Sequence, residues 1–433
     1  MNDAPKKTSF LNQVQKLFRG QVLYTFSQWA ILAMLVKNGS DLEAGKYTSA
    51  LIATAPIFLF FDLNLRVSRS TDHKHDEQFR SYLGLRLWCL LFAVLTATGV
   101  CIWLYSSNFS VFFGLIAYRI GESISNLSFG GYQRMEFSDR IGSSLTFKGI
   151  ICLAVMAIVI PLANGDARVA AITMAAISLA WASLVDLPGA WGLNEPDYSL
   201  SPSSTFASLA DVSSAARIAK RSLPLGFDAL VSSLALNTPK YCVEYWFGKE
   251  TLGVFGVLSQ LAFSIQMLIG AVGHAGVSVL SSLFRKQDSR PFWRLLNRML
   301  LASLAVGVIA VIGGTLVVPP LMTSLLGPSY DQTLLFFLLL LASCFAGVQR
   351  TAGRATQACG SYFTYTIFDI VIFSTTATAS LLLVKEHGVT GAAVALTIGF
   401  AAGLLVTLVH TYGFLDKGNR EKITDNESIP HHT

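Results

Sequence analysis

Apolar runs long enough to form a membrane-crossing helix recur from one end of this chain to the other. Leu90–Leu104, Ile150–Ala163 and Leu300–Pro319 are examples. A helix needs about 20 mostly apolar residues to cross a hydrocarbon core of about 30 Å. Barrel strands would instead alternate polar and apolar residues over about 10 positions. The runs do not alternate, so the expected class is all-α. Composition agrees. Only 13% of the 433 residues are charged and 52% are hydrophobic, whereas a soluble domain carries about 25% charged residues. This is a chain solvated by lipid.

Twelve spans are predicted. The first six are Gly20–Lys37, Lys46–Leu63, Tyr82–Tyr105, Phe109–Gln133, Leu145–Ala163 and Val169–Ala190. The second six are Leu223–Phe247, Leu252–Leu283, Phe292–Val318, Thr333–Arg354, Tyr362–Val384 and Val389–Phe414. The expected organisation is a lead-in (1–19), a six-helix lobe (20–190), a cytoplasmic linker (191–222), a second six-helix lobe (223–414) and a cytoplasmic tail (415–433). With the N-terminus inside, 25 of the 32 Lys and Arg fall in inside segments and six outside, with Arg119 mid-span. That asymmetry follows the positive-inside rule and puts both termini in the cytoplasm. The net charge of +6 is therefore a topology signal and gives no reason to expect nucleic acid. In the lead-in, Phe10, Leu11, Val14, Leu17 and Phe18 share one helical face. A helix lying on the leaflet and a frayed entry to the first span both fit. The first span itself is too long for a cleaved signal and lacks a small-residue cleavage site. The six cysteines form no C-x-x-C pair and read as small apolar residues.

The halves resemble one another. Leu42–Tyr47 and Thr251–Phe255 open the second and eighth spans, and Phe79–Leu83 and Phe292–Leu296 open the third and ninth. Because six is even, both halves start on the same side. The expected lobes are parallel repeats, with a substrate path between them near mid-membrane.

Polar residues inside spans cost about 2.5–3.5 kcal/mol when charged and face away from lipid. In the seventh span Ser233, Asn237, Lys240 and Glu244 fall at i, i+4, i+7 and i+11, which is one face of a helix. Pro239 lies among them. Gln21, Thr25 and Gln28 make a matching stripe in the first span. These stripes suit the walls of a shared cavity, and a polar packing seam is the plainer alternative. Arg119, Glu122 and Asn126 share a face of the fourth span, and the i, i+3 spacing of Arg119 and Glu122 permits an ion pair between them. Arg66 and Arg86 are further basic candidates, and Asp62, Lys148 and Asp186 also lie at or inside spans. Asp228, Asp369 and His274 are candidates for binding a coupling cation, H+ or Na+.

The chain has no G-x-x-x-x-G-K-[ST] loop, H-E-x-x-H or G-x-S-x-G motif, or Gly-rich dinucleotide fingerprint, so P-loop hydrolysis and the common motif-borne enzyme chemistries are not expected. No cofactor or metal is expected.

The chain resembles the polysaccharide-repeat flippases, including the O-antigen (Wzx-type) flippases, of the multidrug/oligosaccharidyl-lipid/polysaccharide exporter superfamily. The resemblance is carried by Leu223-Pro224-Leu225-Gly226, Pro239-Lys240-Tyr241, Glu244, Phe247–Gly256, Gly327-Pro328-Ser329-Tyr330, Phe79–Arg86 and Gly130-Gly131-Tyr132-Gln133-Arg134. It implies a two-lobed transporter, not an enzyme, that moves a polyprenyl-diphosphate-linked oligosaccharide across the bacterial inner membrane by alternating access under a cation gradient. Implied partners are the lipid-linked oligosaccharide, membrane lipid and other glycan-assembly membrane proteins. Rival readings are a multidrug exporter of the same superfamily, a membrane enzyme of glycan assembly and a non-transporting scaffold. The multidrug rival calls for acidic, aromatic-lined cavities, and Lys240 beside Glu244 argues against it. The enzyme calls for a large outside loop, which the chain lacks. The scaffold does not need matching polar stripes in the first and seventh spans.

Overall fold

The computed structural model describes residues 10–71, 77–105, 109–195, 211–286, 289–358 and 362–427, with side chains for all of these but 10–12, 14, 267–268, 270–279, 281, 285, 289, 357–358, 362–363 and 414–427. Every regular element among the described residues is helical. In chain order they are α1 (Phe10–Asn38), α2 (Asp41–Asp62), α3 (Leu65–Ser70), α4 (Phe79–Leu104), α5 (Phe109–Arg134) and α6 (Ser138–Leu162). Then come α7 (Ala167–Asn194), α8 (Val212–Arg285), α9 (Ser289–Leu326), α10 (Thr333–Ala358) and α11 (Tyr362–Glu427).

Two of these helices are double. In α8 the backbone leaves helical geometry at Gly248 (φ 81°), and in α11 at Gly388 (φ 57°). Positive φ is cheap only for glycine, so each glycine separates two passes. Taking α3 with α2, the described residues hold twelve long helical segments, one for each expected span. The protein is a polytopic all-α membrane protein. Seven stretches among the described residues are long and apolar enough to cross a bilayer by length and composition alone. Thr364–Gly413, at 50 residues, suffices for two passes.

Local sequence sets several boundaries. Ser40 caps α2 through its hydroxyl, which accepts from Glu43 N, and Asp166 caps α7 by accepting from Arg168 N. Leu63 and Asn64 both take positive φ (49° and 46°), which ends α2 and re-aims the chain into α3. Pro239 does not interrupt α8, whose described dihedrals depart from helix only at Gly248.

The linker expected over 191–222 is shorter than the sequence suggests. Helix α7 runs to Asn194, and α8 begins at Val212. The first turns of α8 are docked: Ile218 and Ala215 enter an apolar cluster with Leu65, Phe79, Tyr82, Leu127 and Trp191. Arg221 donates to the Tyr82 hydroxyl (2.9 Å), Arg217 Nε to Glu77 (3.2 Å), and Ser222 and Ser68 share a hydrogen bond (2.9 Å). The polar composition of this stretch reflects a half-exposed amphipathic helix whose buried side is short. Residues 196–210 lie outside the described set.

Two compact units result: 1–234 with 247–257, and 235–246 with 258–433. In the first, small residues bring helices together. Gly20 and Gly142 let α1 and α6 meet backbone to backbone, and Gly114 and Gly121 do the same for α5 against Ala171 and Ser178 of α7. Such contacts suit lipid, where apolar burial alone does not favour helix association. The start of α2 meets the segment after Gly248 equally closely. A Cβ on Gly45 would fall 1.8 Å from the Lys249 carbonyl oxygen, and one on Gly253 2.0 Å from that of Asp41. Gly253→Val therefore forces the two helices apart and lowers stability by about 1–3 kcal/mol. The thermal unfolding midpoint of the purified protein measures this, and an unchanged midpoint would contradict the close approach.

In the second unit the end of α8, α9 and α10 pack through Leu280, Phe292, Leu296, Met299 and Ala355, and α10 packs along α11. Trp293 stacks on Tyr412 (5.1 Å, 18°). Its buried polar contacts include Ser303 with Thr351 (3.0 Å) and Gln349 donating to Thr407 (3.3 Å).

Candidate functional site

The charged interior of the first unit is built on α5, whose polar face meets α1, α2, α4, α6 and α7. Asn126 Nδ2 donates to Asp62 Oδ2 (3.0 Å) and Ser123 Oγ to Asp62 Oδ1 (3.1 Å). Arg86, with 0% of its side chain exposed, pairs with Asp62 and also donates to Ser123 (2.9 Å). Asp62 is the last residue of α2, and Arg86 stands seven residues into α4. The ion pair thus joins α2 to α4, with α5 supplying the remaining hydrogen bonds.

One turn earlier on α5, Glu122 pairs with Lys148 of α6. The expected Arg119–Glu122 pair is not what forms. Arg119 Nη2 donates to the Leu51 carbonyl (3.1 Å), and Glu122 takes its cation from a different helix. Lys148 stands ten residues into α6, about 15 Å along the axis, and is 1% exposed, whereas the Glu122 side chain is 25% exposed. Ser178 of α7 donates to Glu122 Oε1 (2.8 Å), and its oxygen lies 3.4 Å from the ammonium. The ring of Tyr24 covers Lys148 at 5.5 Å. Tyr24 and Tyr118 hydroxyls are 3.3 Å apart, and Tyr118 reaches Gln28 Oε1 at 3.4 Å. A third carboxylate, Asp186, is 0% exposed at the end of a π-helical turn, Ala182–Asp186, inside α7. It accepts from Ser144 (2.6 Å), one turn before Lys148.

The other candidates are placed as follows. Arg66 is half-buried, with Nε donating to Gln133 (3.1 Å) and its guanidinium over Phe129 (5.5 Å). Gln21, Thr25 and Gln28 are half-buried on α1. Of the α8 stripe, Ser233 belongs to the first unit, and Asn237, Lys240 and Glu244 to the second. Ser233 and Asn237 are buried, while Lys240 and Glu244 are half-buried. Among the described residues Lys240 makes no hydrogen bond or ion pair. It stands eight residues before Gly248, inside the helix, not in an outside loop as the charge count took it. Asp228 is half-buried well inside α8 and Asp369 is buried in α11, while the His274 side chain lies outside the described set. Sequence reasoning noted Lys148 and Asp186 only as isolated residues and missed Tyr24, Tyr118 and Ser178. Their contacts depend on which helices are neighbours, which no single-helix spacing reveals. Among the described residues no group of three His, Cys, Asp or Glu could hold a metal, and Cys89, Cys101, Cys152, Cys242 and Cys344 are free and buried.

The interior defines a class: an all-α membrane protein with two buried ion pairs in one unit and, in the other, a lysine that makes no ion pair among the described residues. Comparison with known proteins gives the particulars. The chain is 22% identical over 398 residues to the capsular polysaccharide biosynthesis protein CapF of Staphylococcus aureus, covering 90% of this chain and 96% of that one. An inward-facing multidrug resistance MATE family transporter of the MOP superfamily superposes with a TM-score of 0.70 at 12% identity, covering 93% of this chain and 96% of the other. A MOP superfamily transporter from Pyrococcus furiosus superposes at 0.60 and 12% identity, covering 96% of each chain. No family model matches. The fold is that of MOP-superfamily transporters.

Proposed function

We propose that this protein is a flippase that carries a polyprenyl-diphosphate-linked oligosaccharide across the bacterial inner membrane by alternating access, with both termini in the cytoplasm. The observation that carries this reading is the end-to-end similarity to a capsular polysaccharide biosynthesis protein, on a transporter fold. The chemistry supports it. A diphosphate needs a cation in a low-dielectric path, and Lys240 is a half-buried lysine with no ion pair among the described residues. Asn237 and Ser233 on the same helical face offer hydrogen bonds to hydroxyls, and the lipid tail stays in the bilayer. An anion leaving a negative interior is helped by about 2.3 kcal/mol per 100 mV for each charge.

The fold by itself equally suits a multidrug exporter. A cationic drug calls for uncompensated carboxylates, and in the first unit Asp62 and Glu122 already have Arg86 and Lys148. The reading is tested by reconstitution in liposomes with a fluorescent polyprenyl-diphosphate sugar. Protein-dependent passage of the head group, detected with a membrane-impermeant quencher, is expected. Passage no faster than in protein-free vesicles, with uptake of a cationic dye instead, would replace flippase with exporter.

A further inference from the structure

The surroundings of the Lys148 ammonium resemble a coordination shell. Glu122 Oε1 and Ser178 Oγ approach it directly, and the Tyr24 ring covers it. More oxygens stand behind these. Ser178 Oγ also reaches the Tyr118 carbonyl (3.3 Å), and the Tyr118 hydroxyl is tied to the Tyr24 hydroxyl and donates to the Gln28 amide oxygen. Tyr47 is 2% exposed, and its hydroxyl has no hydrogen-bond partner among the described residues. That hydroxyl lies within electrostatic reach of Glu122, Arg119 and Cys152. A buried hydroxyl without a partner is uncommon. Hard oxygen donors, one of them anionic, are what an alkali cation binds, and a ring face adds to the attraction.

We propose that the Lys148 ammonium is a tethered cation filling an oxygen-lined cage in the first unit, and that the cage accepts Na+ when the amine is removed. The charges facing the cage are Glu122 and Arg119 from α5, Lys148 from α6 and Asp186 from α7. The phenols are Tyr24, Tyr47 and Tyr118. The same device recurs independently where Arg86 serves Asp62. Both paired carboxylates of this interior therefore already own a cation, and the first unit works without taking up a metal ion. Lys148 sets that specificity. The consequence for transport rests on the flippase reading, namely that Na+ coupling does not draw on this unit. The binding claim does not rest on it, and its test requires no transport.

The experiment uses the purified full-length chain. Thermal unfolding is compared in NaCl and choline chloride at equal ionic strength, alongside binding of radioactive sodium. Wild type is expected to show no sodium binding or sodium-dependent stabilisation that Glu122→Gln removes. Lys148→Ala is expected to unfold earlier in choline, to recover by a few degrees in NaCl, as ligand linkage requires, and to bind saturably one sodium more than wild type. Lys148→Ala with Glu122→Gln is expected to lose both responses. Lys148→Met keeps the volume of the stem and serves if the alanine variant does not accumulate. An alanine or methionine variant that treats sodium and choline alike overturns the proposal. So does wild-type protein that binds sodium with Lys148 in place and loses that binding on Glu122→Gln. Failure of the liposome assay with these binding results intact would sink the flippase reading alone.

Discussion

Purified Asp62→Ala protein is expected to unfold well below wild type, by the equivalent of about 3–5 kcal/mol. The cost arises because Arg86, fully buried, keeps its charge when its partner is removed. Ser123 still accepts one of its hydrogen bonds (2.9 Å), but a hydroxyl cannot neutralise a guanidinium. Asn126 and Ser123 also lose the carboxylate to which they donate, so α5 loosens against α2. Removing both charges has a different result. Asp62→Asn with Arg86→Met places groups of similar size in the site and is expected to recover most of the stability, since a buried pair replaced by packed neutral groups costs little. Thermal unfolding of the three proteins in detergent measures this. Equal midpoints for Asp62→Ala and wild type would mean that Arg86 is not desolvated.

Lys240→Ala is expected to have the opposite profile: normal insertion and stability, with lost transport. Lys240 has no ion pair among the described residues, so truncating it strands no opposite charge of that kind. A hydrogen bond to a charged group contributes about 1.5–3 kcal/mol. Losing it from the diphosphate corresponds to about a ten- to hundredfold fall in rate if the contact is made in the transition state. Lys240→Arg keeps the charge and is expected to retain part of the activity. Surface glycan in a deletion strain carrying each variant at native level, with the membrane content of the protein measured in parallel, reads both effects. Normal export by Lys240→Ala would remove Lys240 from the substrate path.

Much of this architecture was legible because the bilayer restricts the choices. Apolar length located the spans, and the positive-inside asymmetry agreed with twelve of them. Even the errors in the charge count are instructive. Arg86 and Lys148 were counted as inside charges, yet both stand within helices and are neutralised by Asp62 and Glu122. Leaving out these two and Lys240, which was counted outside, still gives 23 inside against five outside, so the orientation signal survives. The linker was read too long because Arg217, Lys220 and Arg221 look like loop charges. In fact Ile218 and Ala215 form a narrow buried side that docks the start of α8.

The interior was less legible. Helical spacing correctly put Glu122, Asn126 and Arg119 on one face, but spacing within a helix names only local partners. It suggested Arg119 for Glu122, when the ammonium comes from α6, 26 residues away. Tyr24, Tyr118 and Ser178 carried no signal because aromatic and hydroxyl residues are ordinary in spans. Their meaning appears only when α1, α5, α6 and α7 are packed together. Asp228, Asp369 and His274 stood out in sequence as solitary ionisable residues. The pairs that organise the first unit were instead residues whose partners lay on other helices.

The central claim is that the cargo is a lipid-linked glycan unit, and one measurement reaches it most directly. In cells lacking this protein, the leaflet holding complete polyprenyl-linked units is determined with a membrane-impermeant sugar-modifying enzyme, before and after opening the cells. The flippase account predicts that the units accumulate on the cytoplasmic side, protected until the cells are opened, while surface glycan disappears. Normal surface glycan with units of both leaflets at wild-type levels, together with raised sensitivity to cationic dyes, would contradict it.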